Sequence, residues 1–367
     1  MKYKSFHLFF ITTLIILLIM TAIFNCIIDP FHVLKSPAIY GFNKEKPDLK
    51  TNERISKLFS VKINDFDTLF IGSSRVDFAL DPEYYYKLTN KKAFNLGIGG
   101  SNISESKIIL EKIIKSHPNL KTVVLEVDFF GFNKFNKIDS NESINSFISL
   151  NDIFKLFISY DSIQKSINTI NYNFKNPNEY IFDKNGLRIK SPKHNSYNLA
   201  MAEVQGYIKK NKFYTSSPER LRALQEIVDL CKKNNIKLIV IVSPINFAQV
   251  HVINILNTFD DYIKWRNEIS QITSFYDFSL GNYVTKEQLK RKMLYYFDSH
   301  HYTIIVGNKI LDRVFNNLNS SLPINFGAII TKNNVNKYNK ELYSDYKDWV
   351  NKNQEVVKKI NAFKDYN

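Results

Sequence analysis

The 367-residue sequence predicts an α/β fold, a three-layer sandwich on a mainly parallel five-stranded sheet, behind an N-terminal transmembrane helix. Three observations carry that expectation. Apolar strand-like runs recur at Thr68–Ile71, Ala93–Leu96, Thr122–Val127, Lys237–Val242 and Ser274–Phe278. Helix-period segments lie between most of them, an alternation that favours a parallel sheet covered on both faces. The third observation is Phe9–Ile28, an apolar run broken only by Thr12, Thr13, Thr21, Asn25 and Cys26.

Taken in chain order, that run comes first, and about 20 such residues in a helix match the ~30 Å hydrocarbon core of a bilayer. Lys2 and Lys4 precede it, which places the N-terminus in the cytoplasm and the rest of the chain outside. A cleaved signal peptide and a hydrophobic core helix are the alternatives. No small-x-small site closes the run, however, and bulky Phe24 and polar Asn25 stand before Cys26 where a lipoprotein signal needs small residues.

Residues 29–65 read as a Pro-containing linker with one short helix near Glu53–Phe59. The sheet domain is expected over 66–318. Its helices include Ser104–Lys115, with Ile108, Ile109, Ile113 and Ile114 near one face, and Glu219–Lys233, with Leu221, Leu224, Ile227, Val228 and Cys231. Residues 131–217, rich in Asn, Ser, Lys and Tyr, are too long for an ordinary connection and read as an insertion or lid with helix around Ile153–Ile170. A basic tail over 319–367 carries an amphipathic helix near Tyr343–Ile360.

The formal net charge is +15, with lysines spread from end to end rather than massed on one motif. That distribution suits anionic lipid or polyanionic envelope polymers better than nucleic acid. Cys26 and Cys231 are the only cysteines, and the first lies in the apolar run, so no disulfide staples the domain.

Three segments after predicted strands bear chemistry. In "IGSSR", Ser74 follows a strand on a Gly-containing turn, where a hydroxyl is exposed beside backbone N–H groups; a turn serine or helix cap is the structural alternative. In "NLGIGG" the glycines at 97, 99 and 100 fit neither a P-loop nor a dinucleotide fingerprint, but they let a backbone N–H approach a ligand. In "DSHH", Asp298 stands three residues ahead of His301, a spacing at which the carboxylate can fix the imidazole tautomer. Adjacent histidines do not converge naturally on one ion, so no metal is expected.

In that order the three segments resemble the SGNH (GDSL-like) hydrolase superfamily, whose sheet is flavodoxin-like. The resemblance covers about residues 66–317 and implies a Ser74 nucleophile, a His301 base, an Asp298 orienting group and oxyanion donors at Ser74 and Gly100. "VIVSP" at Val240–Pro244 resembles the segment that precedes the last block. One departure stands out: where the third block carries an Asn donor, "VVLEVDFFGFN" places Asp128, Phe129 and Phe130. Asn102, Asn133 and Asn246 are candidate substitutes, and Arg75 is a candidate for an acidic substrate group or a surface ion pair.

"GSS" in place of Gly-Asp-Ser, together with the anchor and "IIDPF", resembles the membrane-anchored branch similar to proteins of alginate O-acetylation and teichoic acid D-alanylation. The resemblance implies a serine acyl esterase or O-acetyltransferase in the inner or cytoplasmic membrane, with its catalytic domain extracytoplasmic. Its substrate would be an envelope polysaccharide or its acyl ester. A membrane-bound O-acyltransferase is the implied protein partner, and no cofactor is expected. The alternative is a non-catalytic accessory protein that binds the glycan or the acyltransferase.

Overall fold

A computed structural model of the protein describes residues 2–34, 36–50, 53–136, 154, 156–175, 185–188, 196–316 and 322–365. Its helices are α1 (Lys2–Ile28), α2 (Glu53–Ile63), α3 (Ser74–Ala79), α4 (Pro82–Thr89), α5 (Ile103–Ser116), α6 (Tyr160–Lys175) and α7 (Ser196–Lys210). They continue with α8 (Pro218–Lys233), α9 (Phe247–Ile255), α10 (Phe259–Ile272), α11 (Ile304–Val314), α12 (Val335–Lys352) and α13 (Gln354–Asp365). The chain divides into two compact units, Met1–Asn64 with Ser140–Lys184 and Asp65–Asp139 with Asn185–Asn367.

The first unit contains α1, α2 and α6. Helix α1 is long and apolar enough to cross a membrane, with a mean hydropathy of 2.6 over its best window. After it the chain turns on Asp29, whose carboxylate accepts the backbone N–H groups of Val33 (2.7 Å) and Ser36 (3.2 Å). Phe31 and Val33 are buried with Leu156. The stretch expected as a linker therefore has its own buried side chains and a helix, α2, longer than the short one anticipated.

The second unit holds the sheet. Strands β1 (Thr68–Gly72), β2 (Ala93–Gly97), β3 (Thr122–Val127), β4 (Lys237–Val242) and β5 (Phe275–Asp277) run parallel in the order 2-1-3-4-5. A sixth strand, β6 (Ala328–Ile330), pairs antiparallel with β5, so the sheet has six strands rather than five. The extra strand falls in the stretch expected to be a helical tail. Its "AII" is too short and too uniformly apolar to display alternation, although Ala328 and Ile330 are buried and Ile329 is exposed. The remaining tail is two helices with a break at Asn353, not one.

Every residue of β1, β2 and β3 is buried, because both faces of the sheet are covered. Phe70, Val124, Ile239 and Ile241 share a core with Val76, Ala79, Val306 and Ile310, from α3 and α11. Helices α3 and α4 pack with α11, whereas α8 packs with α5, α10 and β4. Much of the interval expected as a lid, 137–153, 176–184 and 189–195, lies outside the described residues, as does the start of its expected helix. Residues 185–188 and 196–217 of that interval belong to the sheet-containing unit.

In a doubly wound sheet of order 2-1-3-4-5, ligands lie beyond the C-terminal strand ends, where β1 and β3 send their connections to opposite sides. Ser74, Gly100 and Asp128 follow β1, β2 and β3 at that edge.

Candidate active site

The two serines after Gly72 divide their tasks. Ser73 is the N-cap of α3: its Oγ accepts the N–H of Arg75 at 3.3 Å, and its own N–H donates to Glu126 Oε2 at 2.9 Å. Ser74, freed from capping, is the first residue of the helix, and its Oγ stands 2.8 Å from His301 Nε2. The helix is only six residues long and is braced from β2. Asn95 Nδ2 donates to the carbonyls of Val76 (2.7 Å) and Leu80 (2.8 Å), satisfying acceptors at the helix end. Gly97 backs onto the same helix so closely that a Cβ there would meet Asp77 N at 2.1 Å.

Asp298 and His301 sit on a tight turn closed by an antiparallel bridge between Tyr296 and Tyr302, both fully buried. Phe297 N–H donates to His301 O at 2.9 Å across that turn. Asp298 Oδ2 receives His301 Nδ1 at 2.6 Å, while Oδ1 accepts the backbone N–H groups of His300 and His301, each at 2.8 Å. Burial alone would raise the Asp298 carboxyl. The facing His300 and His301 rings and these hydrogen bonds outweigh it and hold the group well below the usual carboxylate range. The ring of Phe78 lies 4.9 Å from that of His301, an apolar support beside the imidazole.

Gly100 has φ +69°, a left-handed conformation that suits glycine, and it lines the same cavity as Ser74 and His301. Among the described residues no hydrogen bond engages the Gly100 or Ser74 N–H. The Asn candidates are committed elsewhere. Asn102 caps α5 through Ser104 and Glu105, and Asn246 caps α9 through Ala248 while its Nδ2 donates to Glu287 O at 2.7 Å. Asn133 bonds Asn211 and the backbone of Phe135 and Thr215. None of the three lines the cavity, and the Asn102 and Asn246 side-chain oxygens cap the N-termini of α5 and α9. Asn246 still supports the site from outside, because its N–H donates to Ser299 O within the "DSHH" turn at 3.1 Å.

Arg75 is not a surface ion pair. It is 3% exposed, with Nη1 2.9 Å from Asp128 Oδ2 and 3.5 Å from Glu126 Oε1. Burial works against the guanidinium charge, but Asp128, then Tyr207 and Glu126, outweigh it. Asp128 Oδ1 also accepts the Gly131 N–H at 2.9 Å. Beyond the end of β3 there is thus a carboxylate whose charge is offset from behind by the residue next to Ser74. Glu126 was missed from sequence, although an acidic residue inside "TVVLEV" is the signal that could have found it.

The cavity holds about 320 Å³ and is walled on its far side by Glu203, Tyr207, Lys210 and Asn211, from α7 and its end. The His300 ring packs edge-on to Tyr207 (4.7 Å) and beside His301 (3.9 Å). Burial first, then the neighbouring His301 and the Arg75 guanidinium, pushes the His300 imidazole far below its ordinary value. Asp298, His300 and His301 bring potential metal-ligand atoms within 4.8 Å of one another. Both Asp298 oxygens and both His301 ring nitrogens already have hydrogen-bond partners, and His300 Nδ1, which has none, faces Asp298 Oδ1 at 3.4 Å. The donor set therefore fits a hydrogen-bonded relay better than a coordination sphere.

A scan against protein-family models finds no match, and no curated protein matches the chain. Among solved structures, a Streptococcus pneumonia chain provisionally described as a platelet activating factor is similar to it over 74% of this chain and 96% of its own. The identity is 14% and the TM-score 0.33, values too low to bear on function, so the α/β fold rests on the sheet described above.

Proposed function

We propose that the protein is a membrane-anchored, extracytoplasmic serine esterase or O-acetyltransferase that moves an acyl group, most simply acetyl, onto or off an envelope polysaccharide. The observation that supports it is the chain Ser74 Oγ, His301 Nε2, His301 Nδ1, Asp298 Oδ2, linked at 2.8 and 2.6 Å.

In this reading Ser74 Oγ attacks the ester carbonyl as its proton passes to His301 Nε2. Negative charge gathers on the carbonyl oxygen, met by the N–H groups of Ser74 and Gly100. Collapse expels the alcohol, which takes the proton back from His301, and leaves an acyl ester on Ser74. An acceptor hydroxyl then attacks, giving its proton to His301, and its approach reverses the first half. Water as acceptor makes the enzyme an esterase; a sugar hydroxyl makes it a transferase. Asp298 stabilises the imidazolium formed in each half.

The test is labelling of the full chain with a fluorophosphonate, which needs an activated serine. Labelling at Ser74 that vanishes in Ser74→Ala supports the enzyme. A folded protein that is never labelled favours the second reading, a non-catalytic accessory subunit that binds the glycan or an acyltransferase. One observation favours that reading: Asp128 presents a carboxylate where a third oxyanion donor would stand.

A further inference from the structure

Helix α6 is amphipathic in an inverted sense. Its buried residues, Ser162, Ser166, Thr169 and Asn173, are all polar. At helical spacing these four form one stripe, and the neighbouring stripe carries Tyr160, Ile163, Ile167, Ile170 and Phe174. Tyr160, Ile167 and Phe174 are 73%, 48% and 84% exposed. A helix on a water-facing surface does the reverse, burying its apolar stripe.

The polar stripe is firmly seated. Asn25, near the end of α1, donates from Nδ2 to Ser162 Oγ (3.0 Å) and to Phe157 O (2.8 Å), and its Oδ1 accepts Ser166 Oγ–H at 2.6 Å. Farther along, Asn173 exchanges two 2.7 Å hydrogen bonds with the backbone of Glu45. Lys165 and Asn168 hold Asp48 on the third face, at 3.1 and 2.9 Å. Residues 3–20 of α1 are exposed throughout, whereas Asn25 and Ile28 are buried, so α6 meets α1 only at its C-terminal end. At that same end an apolar cavity of about 530 Å³ opens among Ile19, Ile23, Ile27, Leu34 and Ile39.

We propose that α6 is an in-plane membrane helix, with the Ile163, Ile167 and Phe174 stripe set into the headgroup–acyl boundary where α1 leaves the bilayer. The partner is lipid, because α6 is tied through Ser162 and Ser166 to Asn25 at the end of the apolar helix α1, which seats its exposed apolar side chains beside the point where that helix would leave hydrocarbon. The Asn25–Ser162–Ser166 bonds fix its depth: in a poorly hydrated layer they satisfy polar groups that would otherwise be costly to bury. This rests on α1 being a span and is independent of the chemistry at Ser74.

The test uses the full chain in lipid nanodiscs with phosphatidylcholine brominated on its acyl chains, which quenches nearby tryptophan. The native Trp265 and Trp349 are buried in the other unit and provide a constant background. Reporters are Phe174→Trp on the apolar stripe, Asp161→Trp on the polar face and Ile15→Trp within α1. Brominated lipid should remove roughly half or more of the emission added at 174 and little of that added at 161, as for a helix lying on a bilayer. Equal quenching at 174 and 161, or none at either while 15 is quenched, overturns the in-plane helix and leaves the span standing. An unquenched reporter at 15 overturns both.

Discussion

Gly307 of α11 meets Ala79 of α3 so closely that a Cβ on the glycine would lie 1.8 Å from the Ala79 carbonyl oxygen. One helix begins with Ser74 and the other starts three residues after His301, so this contact sets the distance between the two. Gly307→Ala should force the helices apart, cost on the order of 1–3 kcal/mol as an overpacked contact, and slow fluorophosphonate labelling. Gly206→Ala is the contrast, with no atom within 4 Å of its new Cβ, and should raise the unfolding midpoint by improving helix propensity. Thermal unfolding of the two variants checks the pair.

Removing the Arg75 guanidinium should destabilise the fold beyond the loss of one contact. Glu126 and Asp128 would be left facing each other without their cation. Arg75→Ala is expected to cost about 3–5 kcal/mol, as for a broken buried ion pair. Arg75→Ala combined with Glu126→Gln should recover part of that, measured by denaturant unfolding of the variants side by side.

Asp298→Asn tests the tautomer. The amide Oδ1 can keep the two backbone N–H bonds, but Nδ2 then donates toward His301 Nδ1 and turns the proton onto Nε2, the atom that must accept from Ser74. Labelling at Ser74 should fall on the order of 10³–10⁴-fold. An unchanged rate would remove Asp298 from the mechanism.

His300 should make stability pH-dependent in the weakly acidic range. Its folded value is depressed, so above the ordinary value of about 6.5 both states are neutral and its contribution is complete. As pH falls below that, the unfolded chain binds a proton that the folded one resists, and stability drops by up to about 1.4 kcal/mol per pH unit. His251, buried and also depressed, acts in the same direction. Asp298 acts only in stronger acid, below about 3.9, where its unfolded form protonates. Glu126 and Glu203, whose carboxyls burial raises, act in the opposite direction, so the test is a difference: from pH 7 to 5 the unfolding midpoint of the wild-type chain should fall relative to that of His300→Gln.

The parallel strands were legible because each is covered on both faces and reads as an unbroken apolar run bounded by turns. The order of Ser74, Gly100, Asp298 and His301 was legible because turns at strand ends carry their own residue signature. Strand β6 was not, since three apolar residues carry no period. Nor were the roles of Asn102 and Asn246, because an asparagine ahead of a helix looks the same whether it caps or binds.

What the sequence determined alone, then, is local: an apolar segment of spanning length, alternating strands and helices, and a carboxylate three residues before an imidazole. Tertiary structure decided what depends on distant groups meeting. It brought Ser74 to His301 across 227 positions, buried Arg75 between Glu126 and Asp128, and turned the polar stripe of α6 toward Asn25. The physical reason is that hydrogen bonds and charges act over a few ångströms, and only packing fixes which residues lie that close.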